Sequence, residues 1–189
     1  MALKPSATPR LHAPPPSGLV TLTTDFGTQD GYVGAMKGCL LTLAPQAVLV
    51  DLSHAIPPQG VAAGAWCLRR AVPRFPPGTV HLAVVDPGVG SSRRGLVVEA
   101  GQQWLVGPDN GLLALAARDL GLNRIFHIDE GLPWLEKTAS FDGLRLFSPV
   151  AARLATGLDP AQIASQVEHL TELPLPLPTC HGLSVEGTL

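Results

Sequence analysis

Charge and aromatic rings are both scarce in this chain. Asp, Glu, Lys and Arg make up only 15% of its 189 residues, and 13 basic side chains nearly balance 15 acidic ones. No basic block and no basic patch interleaved with aromatics is present, so neither nucleic acid nor an anionic membrane surface is expected as a partner. No apolar run reaches the roughly 18 to 20 residues that a membrane-spanning helix requires. The three cysteines, Cys39, Cys67 and Cys180, are widely spaced and form no C-x-x-C pair. Reduced thiols in a cytoplasmic protein fit that pattern better than a disulfide. Nucleotide signatures are missing as well, since neither G-x-G-x-x-G nor a P-loop occurs. There is no G-x-S-x-G elbow, and Ser91 and Ser92 have no evident base partner.

Apolar residues, at 46%, are plentiful enough to bury a sizeable core in one domain. Residues 1–18 are Pro-rich without a signal-like apolar segment, and are expected to form a disordered arm. Strands are predicted at Leu19–Thr24, Ala47–Leu52, Thr79–Val85 and Arg124–Ile128, with Gly95–Glu99 and Gln103–Val106 as an antiparallel pair. Helices are predicted over Gly31–Leu43, from Pro57 to about Val72, over Gly111–Leu120 and over Phe147–Ala155, with another starting at Asp159-Pro160. Asp30, Asp109-Asn110 and Asp159 are the expected helix caps. The β-α-β-α-β order predicts an α/β fold with a mostly parallel sheet wound by helices, covering residues 19–170. After Leu170 the alternating prolines of Thr171–Pro178 predict an extended linker.

The segment Val84–Arg94, V-V-D-P-G-V-G-S-S-R-R, is the most informative. A strand delivers Asp86 to its C-terminal end, and a tight Gly turn can bring Arg93 back to it. In open α/β sheets that edge binds ligands. Asp25, Asp51, His54, Asp86 and Asn110 all fall at predicted strand ends, so one cleft is expected to gather them. Taken singly, each Asp reads more simply as a turn or helix cap. Asp51-Leu52-Ser53-His54 is a weak metal motif, and no metal site is expected.

Four collinear segments then resemble one family. They are T-T-D-F-G-T-Q-D-G-Y-V-G-A-M-K-G from Thr23, D-L-S-H at Asp51, V-V-D-P-G-V-G-S-S-R-R, and G-P-D-N-G-L-L from Gly107. Together they are similar to the N-terminal domain of S-adenosyl-L-methionine hydroxide adenosyltransferases, relatives of the fluorinase and chlorinase. The resemblance implies attack of water or hydroxide on the ribose C5′ of S-adenosylmethionine, the substrate, with no cofactor. Carried over by position, Asp25 holds the ribose hydroxyls and Asp30 the methionine ammonium. Asn110 joins the substrate site, while Asp86 and Arg93 orient the water. Retention of Asp86 sets the chain apart from the halide-using branch.

The resemblance also exposes a departure. The family's F-H-G-R-D motif reads F-D-G-L-R here, so Asp142 stands at the position of the third catalytic residue, a His, and Leu144 and Arg145 replace the Arg-Asp pair. Two acids, Asp86 and Asp142, would then need a neighbouring cation such as Arg145. If the missing His is the only defect, Asp142→His should raise the rate. Family members form trimers whose sites are completed by a β-rich C-terminal domain of a neighbour. Residues 171–189 are expected to hold only the linker and the opening strand of that domain. Three readings stay open: a hydrolase of S-adenosylmethionine, a non-catalytic nucleoside-binding or scaffold protein, and, more weakly, a metal-dependent hydrolase using Asp25, Asp51, His54 and Asp86.

Overall fold

The computed structural model describes residues 2–3, 15–136, 141–174, 179–181 and 184–186. Its centre is a seven-stranded sheet in the order β3-β2-β4-β6-β5-β7-β8. These strands are β2 (Leu19–Thr24), β3 (Val48–Ser53), β4 (Val80–Val84), β5 (Gly95–Ala100), β6 (Gln103–Pro108), β7 (Leu122–Ile128) and β8 (Ala164–Val167). The pairs β2–β3, β2–β4 and β4–β6 are parallel, while β5 runs antiparallel to β6 and β7, and β8 antiparallel to β7. The expected α/β fold is therefore present, as a mixed sheet whose parallel half carries the site.

The parallel half arises from runs such as L-V-T-L-T-T, whose β-branched residues suit strands buried on both faces. Side chains alternate between two cores. Val20, Leu22, Val80, Leu82, Val97, Val106 and Phe126 join one cluster, whereas Ala83, Leu96, Val98, Leu105 and Ile125 join the other. Helices α1 (Tyr32–Leu43) and α4 (Ser148–Ala155) cover the first face through Met36, Leu40, Val150 and Leu154. Helices α2 (Val61–Ala71) and α3 (Ala114–Leu120) cover the second through Leu68 and Ala117. Gly64 permits this second layer: a Cβ there would stand 2.7 Å from the Leu112 side chain.

One buried polar cluster crosses the sheet. His81 Nε2 and Gln103 Oε1 are 2.8 Å apart, and Gln103 Nε2 donates to the Phe75 carbonyl. Gln103 Oε1 is thus an acceptor, which puts the His81 proton on Nε2 and leaves Nδ1 to accept from Thr21 Oγ1 at 2.8 Å. Burial pushes the His81 pKa down to about 4, opposed only in part by Gln103, so the ring is neutral near pH 7.

Several local expectations change. Neither Asp30 nor Asp109 caps a helix: α1 begins after Gly31 and α3 after Leu113, both without a side-chain cap. Asp109 instead accepts from Arg94 and from the Thr171 backbone N–H. The Pro57-Pro58 pair forms a turn closed by Gly60 N–H on the Pro57 carbonyl, and α2 starts only at Val61. Asp159 does accept from Ala161 N–H, but the helix it opens is one 3-10 turn, Pro160–Gln162, followed by edge strand β8. Before α4 the chain makes a π turn, Gly143–Phe147. Pro149 explains that widening, because it lacks an N–H and its ring crowds the carbonyl four residues back.

Two short antiparallel pairs complete the described residues. Strand β1 (Ala2–Leu3) pairs with β9 (Leu170–Thr171), and β10 (Thr179–His181) pairs with β11 (Ser184–Glu186). Most of the expected N-terminal arm, residues 4–14, and the proline-rich residues 175–178 lie outside the described residues. Cys39 and Cys67 are free thiols, each pushed above its ordinary pKa by burial. No helix among the described residues is long and apolar enough to cross a membrane.

Candidate active site

The chain leaves β2 towards β3 on one side and returns to β4 on the other, so a topological switch point lies between β2 and β4. A cleft of roughly 380 Å³ opens at their C-terminal ends. It is lined by Asp25 and Phe26 after β2, Asp86 and Val89 after β4, and Phe141 and Asp142 before α4. Asp25 and Asp86 thus meet where the sequence placed them.

The turn after β4 folds as its glycines require. Val89 N–H donates to the Asp86 carbonyl, Ser91 N–H to the Gly88 carbonyl, and Gly90 takes φ +80°. An L side chain rarely adopts that angle. The chain reverses, and Arg93 Nε donates to both Asp86 oxygens, at 3.1 and 2.9 Å, with Nη2 2.5 Å from Oδ2. Arg93 Nη2 also donates to Asp142 Oδ2. Asp142 Oδ1 in turn accepts from Arg145 Nε at 2.8 Å, and Arg145 Nη2 reaches Glu130 Oε2 at 2.6 Å.

These contacts make one line of alternating charge: Asp86, Arg93, Asp142, Arg145, Glu130. The first three side chains are only 5%, 9% and 10% exposed, so solvent screens them little. Burial would lower Arg93, yet its bonds to Asp86 and Asp142 overcome that and hold the guanidinium above its ordinary pKa. Arg145 is raised likewise, with Glu130 and Asp142 outweighing its partial burial. The cation that two neighbouring acids demand is therefore supplied twice.

Asp25 is fixed from its own side of the cleft. Gln59 N–H donates to Asp25 Oδ2 at 2.7 Å, and Gln59 holds φ +61°, a left-handed conformation that costs about 1 kcal/mol or more in a non-glycine residue. Behind Asp25, Thr24 Oγ1 lies 2.8 Å from His54 Nδ1 and accepts from Phe26 N–H. His54 Nε2 lies 3.0 Å from Asp51 Oδ1, short of hydrogen-bond alignment, and Lys37 Nζ donates to Asp51 Oδ2 at 2.6 Å. Although burial opposes it, the Lys37 and His54 contacts hold the Asp51 carboxyl below its usual pKa. Gly27 N–H closes the clamp on the His54 carbonyl. D-L-S-H thus braces the Asp25 turn from beneath, and Asp51 and His54 do not line the cleft. Among the described residues no three His, Cys, Asp or Glu side chains gather as a metal cluster.

The remaining expected residues lie further off. Asp30 is exposed on the turn into α1, outside the lining of the cleft. Asn110 Nδ2 donates to the Val85 carbonyl and its Oδ1 accepts from Leu112 N–H, so both ends of its amide hold backbone. Sequence reasoning missed Gln59, Glu130, Phe26 and Phe141. The two rings pack edge to face at 5.1 Å, and Tyr32 stands 5.1 Å from Phe141.

Known proteins resemble this chain in sequence and in fold. The sequence model of the SAM hydroxide adenosyltransferase N-terminal domain matches residues 20–164. A protein of Salinispora tropica named (R)-S-adenosyl-L-methionine hydrolase is 46% identical over 177 residues, covering 90% of this chain and 67% of its own. A fluorinase of an Actinoplanes species is more distant, at 24% identity over 74% of this chain and 55% of its own. A crystal structure of an uncharacterized conserved protein from Thermotoga maritima superposes with a TM-score of 0.80 at 33% identity. It covers 85% of this chain and 63% of that one. The chain spans about two thirds of the length of such relatives.

Proposed function

Because the chain belongs to the SAM hydroxide adenosyltransferase family, through that family's N-terminal domain, we propose that it hydrolyses S-adenosylmethionine to adenosine and L-methionine. The observation that carries this reading is the Asp86–Arg93–Asp142 group on a cleft that Asp25 and two aromatic rings also line. Asp25, Asp86 and Asp142 put three carboxylates on the cleft wall, with Arg93 and Arg145 bound behind them, which suits a sulfonium substrate bearing an ammonium. Phe26 and Phe141 give an aromatic base or ribose an apolar surface.

In the proposed step a water oxygen attacks C5′ in line with the C–S bond. The bond's electron pair leaves with sulfur, which becomes the neutral thioether of methionine, and the water's proton passes to solvent. The sulfonium is already a good leaving group, so the protein's contribution is to place the water and shield the reaction centre. No cofactor enters. Asp86, Arg93 and Asp142 orient the water, Asp25 takes the ribose hydroxyls and Asp30 the methionine ammonium. Asn110 enters by holding the turn beside the site. A homotrimer, as the family resemblance implies, is part of the proposal and is checked by sedimentation equilibrium.

The test is incubation of the purified, folded chain with S-adenosylmethionine and chromatography of the products. Adenosine and methionine in equal amounts support the reading, and no adenosine above the buffer blank rejects it. The acid at position 142 favours a second reading, a nucleoside-binding protein without turnover. Calorimetric binding of adenosine with no product release would select that one.

A further inference from the structure

We propose that Arg145 is a positioning residue that grips Asp142 from the side away from the cleft and locks its carboxylate against Arg93, so that Asp86 and Asp142 face the cleft together. The inference rests on the hydrolytic reading above for its kinetic arm only.

Four observations carry it. First, the Asp142 carboxylate is divided between two guanidinia, with Oδ2 taken by Arg93 and Oδ1 by Arg145. Second, Arg145 is anchored at its far end, where Glu130 accepts from Nη2 at 2.6 Å. Third, the pairing is local: Asp142 and Arg145 stand three residues apart where the π turn begins, and Arg145 Nε and Nη2 lie 2.8 and 2.7 Å from Asp142 Oδ1. Fourth, Arg145 lies between two hollows, since it also borders a second cavity of roughly 310 Å³ with Cys39, Trp134 and Arg153. It therefore reaches Asp142 without occupying the cleft.

Electrostatics explains why a second cation is needed. Asp86 and Asp142 share Arg93, and two carboxylates on one guanidinium leave a net negative charge in a region that water screens poorly. Arg145 restores alternation along the line, and Glu130 balances Arg145. The groups that face Asp142 can be named from each element. The turn after β4 contributes Asp86 and Arg93, the π turn Arg145, and the segment after β7 Glu130 through Arg145. Across the cleft stands Asp25, and α1 presents the uncharged Met36 and Tyr32 near Gly143 and Phe141.

The experiment compares the full chain with R145Q, R145K and E130Q. The Asp142 carboxyl carbon, identified by its loss in D142N, is followed by carbon-13 NMR at pH 7. In R145Q its resonance should move away from the parent position, R145K should return it most of the way, and E130Q should displace it by less. In the hydrolysis assay, R145Q should lower kcat about tenfold or more with little change in KM. An Asp142 resonance identical in the parent, R145Q and R145K overturns the proposal. If R145Q fails to fold, R145K against the parent still decides, because a lysine cannot reproduce the paired N–H geometry and should leave a measurable residual displacement. If no variant hydrolyses S-adenosylmethionine, the functional reading fails while the NMR spectrum still judges Arg145.

Discussion

Arg93 and Arg94 are neighbours in the chain and serve opposite ends of the molecule's architecture. Arg93 turns towards the cleft wall and binds Asp86 and Asp142, which line the cleft. Arg94 turns away, binding Asp109 and the His169 carbonyl, while Asp109 also receives Thr171 N–H. One arginine builds the site and the other ties β9 to the body of the domain.

The two substitutions should therefore separate activity from stability. Arg93→Lys keeps the charge but loses the fork, and kcat/KM for S-adenosylmethionine should fall about 100-fold or more. Arg94→Ala leaves the buried Asp109 carboxylate without its guanidinium and should cost about 2 kcal/mol in urea unfolding, with kcat nearly unchanged. Equal kinetic losses in both variants would contradict the division.

His81 gives the fold a specific acid sensitivity. Its folded pKa, about 4, lies below the ordinary 6.5, so at pH 7 the ring is neutral in both states and costs nothing. As pH falls from about 6.5 towards 4 the unfolded chain takes up a proton that the folded chain refuses. Stability should drop by roughly 3 kcal/mol over that window, beyond the drop seen in His81→Leu. Urea midpoints at pH 7 and 4.5 for both proteins measure it, and parallel slopes would refute it.

Gln59 acts through its backbone. Gln59→Gly relieves the positive φ and keeps the N–H that holds Asp25, so binding of S-adenosylmethionine should be unchanged and the melting temperature equal or higher. Gln59→Pro forbids the φ and deletes the N–H, and should weaken binding about tenfold or more. Isothermal calorimetry and thermal melts distinguish the pair.

Positions 142 and 145 should tolerate exchange only together. Asp142→His alone puts an imidazole between two guanidinia and removes the acid that separates them, so it should lower both activity and stability, the latter by about 3 kcal/mol. This revises the simple expectation that restoring the His raises the rate. D142H/R145D should recover more activity than either single variant. A higher rate in D142H alone would show that Arg145 does not matter there.

Much of this was legible beforehand. The parallel strands announced themselves as short β-branched runs, and D-P-G-V-G-S-S-R-R specified both the turn and the return of Arg93 to Asp86. Strand β8 was not legible, because A-S-Q-V is polar and follows an Asp-Pro pair that does open a helical turn, though only one. The caps assigned to Asp30 and Asp109 failed for a related reason: a helix-start residue has the same composition whether its carboxylate meets a backbone N–H or, as at Asp109, a distant arginine. Gln59 left no side-chain signal, since its contribution is a backbone N–H; only P-P-Q-G, a turn segment, marked the place. Glu130 required knowing that the π turn aims Arg145 at the segment after β7, a relation between residues fifteen apart.

The aromatic trio beside the cleft has an optical consequence. Tyr32 is the chain's one tyrosine, about half exposed, and its ring touches Phe141 at the cleft wall. The three tryptophans are elsewhere: Trp104 buried in the sheet, Trp66 under Arg69 and Trp134 under Arg153. Every phenol signal of this protein, in difference absorbance or in the near-ultraviolet dichroism, therefore originates beside the cleft, and the molecule carries its own chromophore for watching it fill.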